Sequence, residues 1–231
     1  MTAPILHANA LQKSYGPTRA LAGVDIAVDR GESVAIMGAS GSGKTTLLHV
    51  LAGIITPDSG SVRFTPSSGE TIEVTALGES ARSRLRRERF GFVFQQGLLI
   101  PELTAIENVA LALMINGTKR SDALPHAAAW LQSLGLSGME DRRIGELSGG
   151  QAQRVAIARS QVTGAELIFA DEPTGALDSR TSSEVMDALL WSTTGQGRTL
   201  VVVTHDPGVA ARCSRTVAMR DGRIVPAEVS A

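Results

Sequence analysis

Residues 38–46 read Gly38, Ala39, Ser40, Gly41, Ser42, Gly43, Lys44, Thr45 and Thr46. They match the pattern G-x-x-x-x-G-K-[ST] in full. Glycines let backbone N–H groups turn toward one anion. Lys44 can reach the β- and γ-phosphates of a nucleotide, and the Thr45 hydroxyl can ligate Mg²⁺. A helix starting here adds the partial positive charge of its N-terminus. The alternative is a glycine-rich turn without ligand. The context argues against it, because the motif lies between a β-rich run, "SVAIMG", and a helically spaced one, "KTTLLHVLAGI".

Further candidates sit at the ends of apolar runs. In "LIFADE", Asp171 and Glu172 follow four apolar residues. Ligands of open α/β sheets gather at such strand ends. Asp171 can hold Mg²⁺ through water, and Glu172 can take a proton from an attacking water. Alone, the pair reads equally well as an acidic N-cap. His205 ends "TLVVVTHD" and can bond a γ-phosphate or the same water, whereas His7, His49 and His126 read as structural. Gln95 follows "FGFVF", where its amide oxygen can meet Mg²⁺ or water. Tyr15 can stack on adenine or simply pack.

A second glycine-rich helix start occurs in "ELSGGQAQRVAIARS", with Leu147, Ser148, Gly149, Gly150 and Gln151. Free N–H groups there also suit an anion, more than a hundred residues after the first such site.

Alternation of strand-like and helical stretches is what must position these residues. It suggests parallel βαβ units and an α/β nucleotide-binding core. Leu47, Leu48, Leu51 and Ile54 fall on one helix side, and "SVRF" and "TIEVTAL" read as strands. Residues 104–158 are mostly helical in pattern, including "VALALMI". The expected architecture is a single domain. A β lobe and nucleotide-binding core take about 1–96 and 161–231, and an inserted helical lobe takes about 97–160.

The chain has 231 residues, 43% apolar and 19% charged, with net charge −1. A near-neutral balance argues against nucleic acid as a partner. Arg82, Arg84, Arg86, Arg87 and Arg89 are interleaved with Glu88 and read as a solvated helix face or a partner contact. Trp130 and Trp191 read as partly buried packing residues. The lone Cys213 permits no internal disulfide. No secretory signal is visible, nor any run near the roughly 20 apolar residues that span a bilayer.

With these elements in this order, the chain resembles the ATP-binding subunits of ABC transporters. Tyr15 matches the A-loop aromatic, "GASGSGKTT" the Walker A motif and Gln95 the Q-loop. "LSGGQ" matches the signature, "LIFADE" the Walker B motif, Asp178 of "ALD" the D-loop, and His205 the switch histidine. "SRLRRERFGFVFQ" and "DEPTGALDSRTSSEVM" are similar to a subgroup of lipoprotein-release, macrolide-export and haem-export ATPases, which also includes a cell-division ATPase. The resemblance implies a P-loop NTPase (RecA-like) core with an N-terminal antiparallel β lobe and an inserted α-helical lobe. It implies ATP and Mg²⁺ as ligands, and Glu172, His205 and Lys44 as catalytic residues. Two copies would pair head to tail, so that Leu147–Gln151 of one chain face the ATP of the other. The pair would drive a separate membrane permease from the cytoplasmic face of the membrane. The alternative is a regulatory ATPase that signals through a membrane partner and moves no cargo.

Overall fold

The computed structural model of the chain describes residues 4–225. In chain order its regular elements begin with β1 (Leu6–Tyr15), β2 (Thr18–Val28), β3 (Ser33–Met37), α1 (Lys44–Leu51), β4 (Ser59–Phe64) and β5 (Ile72–Glu73). Next come α2 (Glu79–Arg89), β6 (Phe90–Phe94), α3 (Ala105–Ile115), α4 (Arg120–Ser133) and α5 (Gly149–Gln161). The last are β7 (Leu167–Asp171), α6 (Ser179–Ser192), β8 (Thr199–Thr204), α7 (Pro207–Ala210), β9 (Arg215–Arg220) and β10 (Arg223–Val225).

The strands form two sheets. An antiparallel sheet runs β2-β1-β4-β5. The other runs β10-β9-β3-β8-β7-β6, with every pair parallel except β10–β9. Their burial follows from these roles. Along β2, Val24, Ile26 and Val28 are buried while Gly23, Asp25 and Ala27 face out, as in a strand covered on one face. All six residues of β8 are buried, as in a central parallel strand covered on both.

One apolar cluster joins the two sheets across α1, with Phe64, Phe90 and Phe169 in edge-to-face contact. Ring centroids are 4.9 Å apart for Phe64–Phe90 and 5.3 Å for Phe90–Phe169. A second cluster packs α3, α4, α5 and α6 against the other face of β7 and β8. Both chain-order gaps between strands that these helices fill contain capped starts. Thr104 and Glu107 close a reciprocal capping box at α3, which fixes where that helix begins. Buried Asn108 then ties the preceding loop down, donating to the carbonyls of Ile100, Leu103 and Thr104 and accepting from Ile100 N–H.

Three expectations need correction. Helix α1 ends at Leu51, and Ile54 lies beyond it, 39% exposed. The glycine after Ala52, at φ 64°, turns the chain out of the helix. Of "TIEVTAL", only Ile72–Glu73 is strand; Val74–Ala76 form a 3₁₀ turn that drives Val74 into the core. Trp191, at 46% exposed, is more open than a partly buried packing residue, whereas Trp130 is half-buried with the Arg198 guanidinium 5.3 Å from its ring. The arginines of α2 divide: Arg84 pairs with Glu88 on the solvated face, whereas Arg82 and Arg86, largely shielded, pair with Glu79.

Candidate active site

Four parallel strands end at the same edge, and each delivers a candidate residue one step later. β3 runs into the 38–43 loop, β6 into Gln95, β7 into Glu172 and β8 into His205. This edge is where α/β sheets place ligands, because the loops there are free of ladder bonding and helix N-termini converge on it. A cleft of about 590 Å³ results. Ser40, Gly41, Gly43, Lys44, Thr45, Thr46, Gln95, Glu172 and His205 line it, with Thr18 and Ala20 from β2.

The phosphate-loop lysine is held from within. Lys44 is 7% exposed, and its Nζ donates to the carbonyls of Gly38 (2.8 Å) and Ala39 (3.0 Å). Gly43 has φ 100°, and a Cβ there would stand 2.2 Å from the Ala20 carbonyl oxygen. The loop therefore presses against β2 where no side chain fits. Ser42 Oγ is buried without a hydrogen-bond partner, which leaves the loop a spare donor beside the free N–H groups of α1's first turn. A cationic, donor-rich loop of this kind fits a polyphosphate.

Thr45 Oγ1 donates to Asp171 Oδ1 at 3.3 Å. Thr45, Gln95, Asp171 and Glu172 line one small cavity beside the main cleft. Its donors are all oxygens, or an amide able to present one, and that suits a hard cation such as Mg²⁺. Burial pushes the Asp171 carboxyl above its usual range, with Glu172's charge adding to the effect. The Thr45 hydrogen bond and the charges of His49 and Lys44 oppose it. Burial also pushes the His49 imidazole down, against the pull of Asp171. A metal would relieve the strain on Asp171, since it favours the ionised form.

Glu172 is the most constrained residue of the site. Its φ is 47°, left-handed without being glycine, at a cost of about 1–3 kcal/mol. The strained turn carries its carboxylate back to the strand ends. There Oε1 lies 2.9 Å from His205 Nδ1, and Oε2 accepts from Thr204 Oγ1 at 3.4 Å. His205 itself is exposed, while Glu172 is largely shielded.

Other expected residues lie elsewhere. Tyr15, at the tip of the β1–β2 hairpin, is 48% exposed and does not line the cleft; Lys13 Nζ sits 5.7 Å from its ring centroid. None of Leu147, Ser148, Gly149, Gly150 and Gln151 lines the cleft either. Ser148 is the exposed N-cap of α5: its Oγ accepts from Gln151 N–H (3.3 Å), and Gln151 Oε1 accepts from Ser148 N–H (2.9 Å). Gln151 is thus occupied as a capping partner. Gly150 is required by packing, since a Cβ there would meet Thr181 Cγ2 at 2.3 Å. Asp178 caps α6, accepting from the N–H groups of Arg180 and Thr181, both at 3.1 Å, and from Thr181 Oγ1. Those bonds, led by the Thr181 hydroxyl, hold its carboxyl below the usual range.

Sequence reasoning missed Thr18, Ala20 and Thr204, which have no chemical signature of their own. It also missed Gln153 and Arg159, which look like ordinary polar residues on a helix.

Residues 21–175 match the family model described as ABC transporter. The lipoprotein-releasing system ATP-binding protein LolD of Geobacter metallireducens is 47% identical over 225 residues, covering 96% of this chain and 98% of that protein. The macrolide export ATP-binding/permease protein MacB 1/2 of Paracoccus denitrificans is 45% identical over 227 residues. Here the chain spans only 33% of its relative's length. Among solved structures, the dimeric post-hydrolysis state of the cassette MJ0796 bound to ADP and Pi superposes with a TM-score of 0.84. It is 36% identical and covers 96% of this chain and 97% of that one. With the phosphate loop, the strand-end carboxylates and the separate serine-glycine helix start all in one such fold, the chain belongs to the ABC transporter family.

Proposed function

We propose that the chain is the ATP-hydrolysing subunit of an ABC transporter, pairing head to tail with a second copy and driving a membrane permease. The observation that carries this is the separation of two anion-binding helix starts. The 38–46 loop opens into a cleft beside Glu172 and His205, while Ser148 stands outside that cleft and exposed. A second copy can supply the missing half of each site, and two-fold symmetry then makes two sites.

Within one site, Lys44 and the loop N–H groups bind the β- and γ-phosphates, and Tyr15, outside the cleft but paired across the hairpin with its wall residue Thr18, meets the adenine. Thr45, Gln95 and Asp171 would hold Mg²⁺, Asp171 through water; when bound, the ion would supply charge neutralisation at the phosphates. Glu172 takes the proton of the attacking water as general base. His205 fixes the Glu172 carboxylate and reaches toward the γ-phosphate. Ser148, Gly149 and Gly150 of the partner copy close over that phosphate, with Asp178 at the seam.

A groove of about 540 Å³ lies next to Gln95's strand, among α2, β6, α3 and α5. Ile54, Phe94, Ala112 and Ile115 line it, together with Arg86, Arg87 and Arg159. We assign it to the permease. No helix among the described residues is long and apolar enough to cross a membrane. The full-length match to a lipoprotein-releasing ATP-binding protein favours a separate permease, extrusion or mechanical transmission as the output, and a place on the cytoplasmic face of the membrane.

Mixing two inactive variants tests the reading. Lys44→Ala removes one half-site and Ser148→Arg the other, so neither variant alone should hydrolyse ATP. A mixed pair contains one intact composite site, and ATPase activity should appear on mixing. If two folded variants remain inactive when mixed, the head-to-tail reading fails.

A further inference from the structure

Gln95 sits in a turn that is held by one helix. Gly97 N–H donates to the Phe94 carbonyl at 2.9 Å, which makes Gln95 and Gln96 the two central residues of a β-turn. The side chain of Gln153, 4% exposed on α5, donates to that same Phe94 carbonyl at 2.9 Å. Six residues further along the helix, Arg159 spreads its guanidinium over the far side of the turn. Nη2 donates to the Gly97 carbonyl at 2.6 Å and Nη1 to the Leu98 carbonyl at 2.7 Å. A Cβ added at Gly97 would stand 3.5 Å from the Cβ of Ala156, between them on the helix.

Two features mark this as more than incidental packing. Arg159 makes no salt bridge among the described residues; its guanidinium is spent on backbone carbonyls. Burial alone pushes its pKa down, so the charge is held in a desolvated place by those oxygens. Leu98, whose carbonyl it holds, has φ 47° although it is not glycine and its side chain is 58% exposed. Such a conformation persists only where surrounding contacts impose it, and Arg159 supplies the contact.

We propose that Gln153 and Arg159 are positioning residues for Gln95, locking its turn to α5. Ser148 caps α5, so these bonds couple the Gln95 turn to the helix that carries the signature serine. Gln95 cannot shift toward its own chain's nucleotide without carrying Ser148, or breaking three hydrogen bonds. On its other side the Gln95 amide lies against Gly175, three residues past Glu172, where an added Cβ would stand 3.0 Å from Nε2. The inference rests on the proposed composite ATP site, in which Gln95 has a role to be positioned for.

The test is ATPase kcat of the full chain for Arg159→Gln and Gln153→Leu, each in the wild-type and Gln95→Ala backgrounds. Misplacing a reacting group can cost up to about 10²-fold, and we expect about a tenfold loss from Arg159→Gln in the wild type, less from Gln153→Leu. In Gln95→Ala each should change kcat by less than about twofold, because residues acting through one another are not additive. Equilibrium binding of ATP should be unchanged by either. Equal losses in both backgrounds, or none in the wild type, overturn the proposal. Should Arg159→Gln fail to fold, Gln153→Leu, which removes a single bond, decides alone. Wild-type turnover in Gln95→Ala would instead overturn the role given to Gln95 in the composite site, a separate failure.

Discussion

Glu172 Oε1 lies 2.9 Å from His205 Nδ1, across the ends of two adjacent parallel strands. The carboxylate reaches this place only through the left-handed backbone of Glu172. If Glu172 is the general base, Glu172→Gln should lower turnover by about 10²–10⁴-fold. ATP affinity should persist, and an ATP-bound pair should accumulate on size-exclusion chromatography. His205→Ala should lower kcat with little change in nucleotide affinity. Normal turnover in Glu172→Gln would remove it from the mechanism.

The glycine of the signature helix is a packing requirement. Because a Cβ at Gly150 would meet Thr181 Cγ2 at 2.3 Å, Gly150→Ala should destabilise the chain by about 1–3 kcal/mol, as overpacked cores do. Adding Thr181→Ser removes the offending methyl and keeps the hydroxyl that bonds Asp178. Thermal melting of the double variant should recover most of the loss. No recovery would show that the cost lies elsewhere than in this contact.

Gly43→Ala addresses the phosphate loop in the same way, with a backbone obstacle that cannot be mutated. The Ala20 carbonyl blocks the new Cβ, and φ 100° is unfavourable for any side chain. The loop must move, and ATP binding measured by calorimetry should weaken by at least about tenfold, since ~1.4 kcal/mol of distortion suffices for that. Unchanged affinity would mean that the loop tolerates a shift away from β2.

A pH-dependent contribution should come from Glu32, just before β3. Burial would raise its carboxyl, but the forked hydrogen bonds from Arg215 Nε (2.6 Å) and Nη2 (3.1 Å) and the Asp29 N–H hold it below the ordinary value. A lowered acid pKa stabilises fully above the ordinary glutamate range and loses that contribution as pH falls through the lowered folded value. Glu32→Gln should therefore lower Tm at pH 7, and the gap to wild type should narrow at acid pH. A gap that is constant with pH would exclude the charge as its cause.

Strand-end residues were legible because a short apolar run that stops at a polar residue is a local signal. "LIFADE", "TLVVVTHD" and "FGFVF" each became a buried parallel strand. The N-terminal antiparallel β lobe was expected from the family resemblance, and β1 and β2 pair in that sense. "TIEVTAL" misled because its β-branched residues report propensity, whereas Val74 turns inward through a 3₁₀ segment to reach the core. Ile54 kept helical spacing past a glycine that ends the helix. Gln153 and Arg159 were invisible because their partners are backbone carbonyls some sixty positions away in the chain, and carbonyls carry no sequence signal. The reason for Gly150 was hidden likewise, since its neighbour Thr181 belongs to another helix.

The lysine of the phosphate loop has its own resting place. Its ammonium group bonds to the carbonyls of Gly38 and Ala39. Nucleotide binding is then an exchange of acceptors around a cation that is satisfied beforehand and afterwards. The loop need not be ordered anew by each arriving ATP, so little conformational entropy is lost on binding. Equally, when product departs, no buried positive charge is stranded, and the backbone takes the ammonium back.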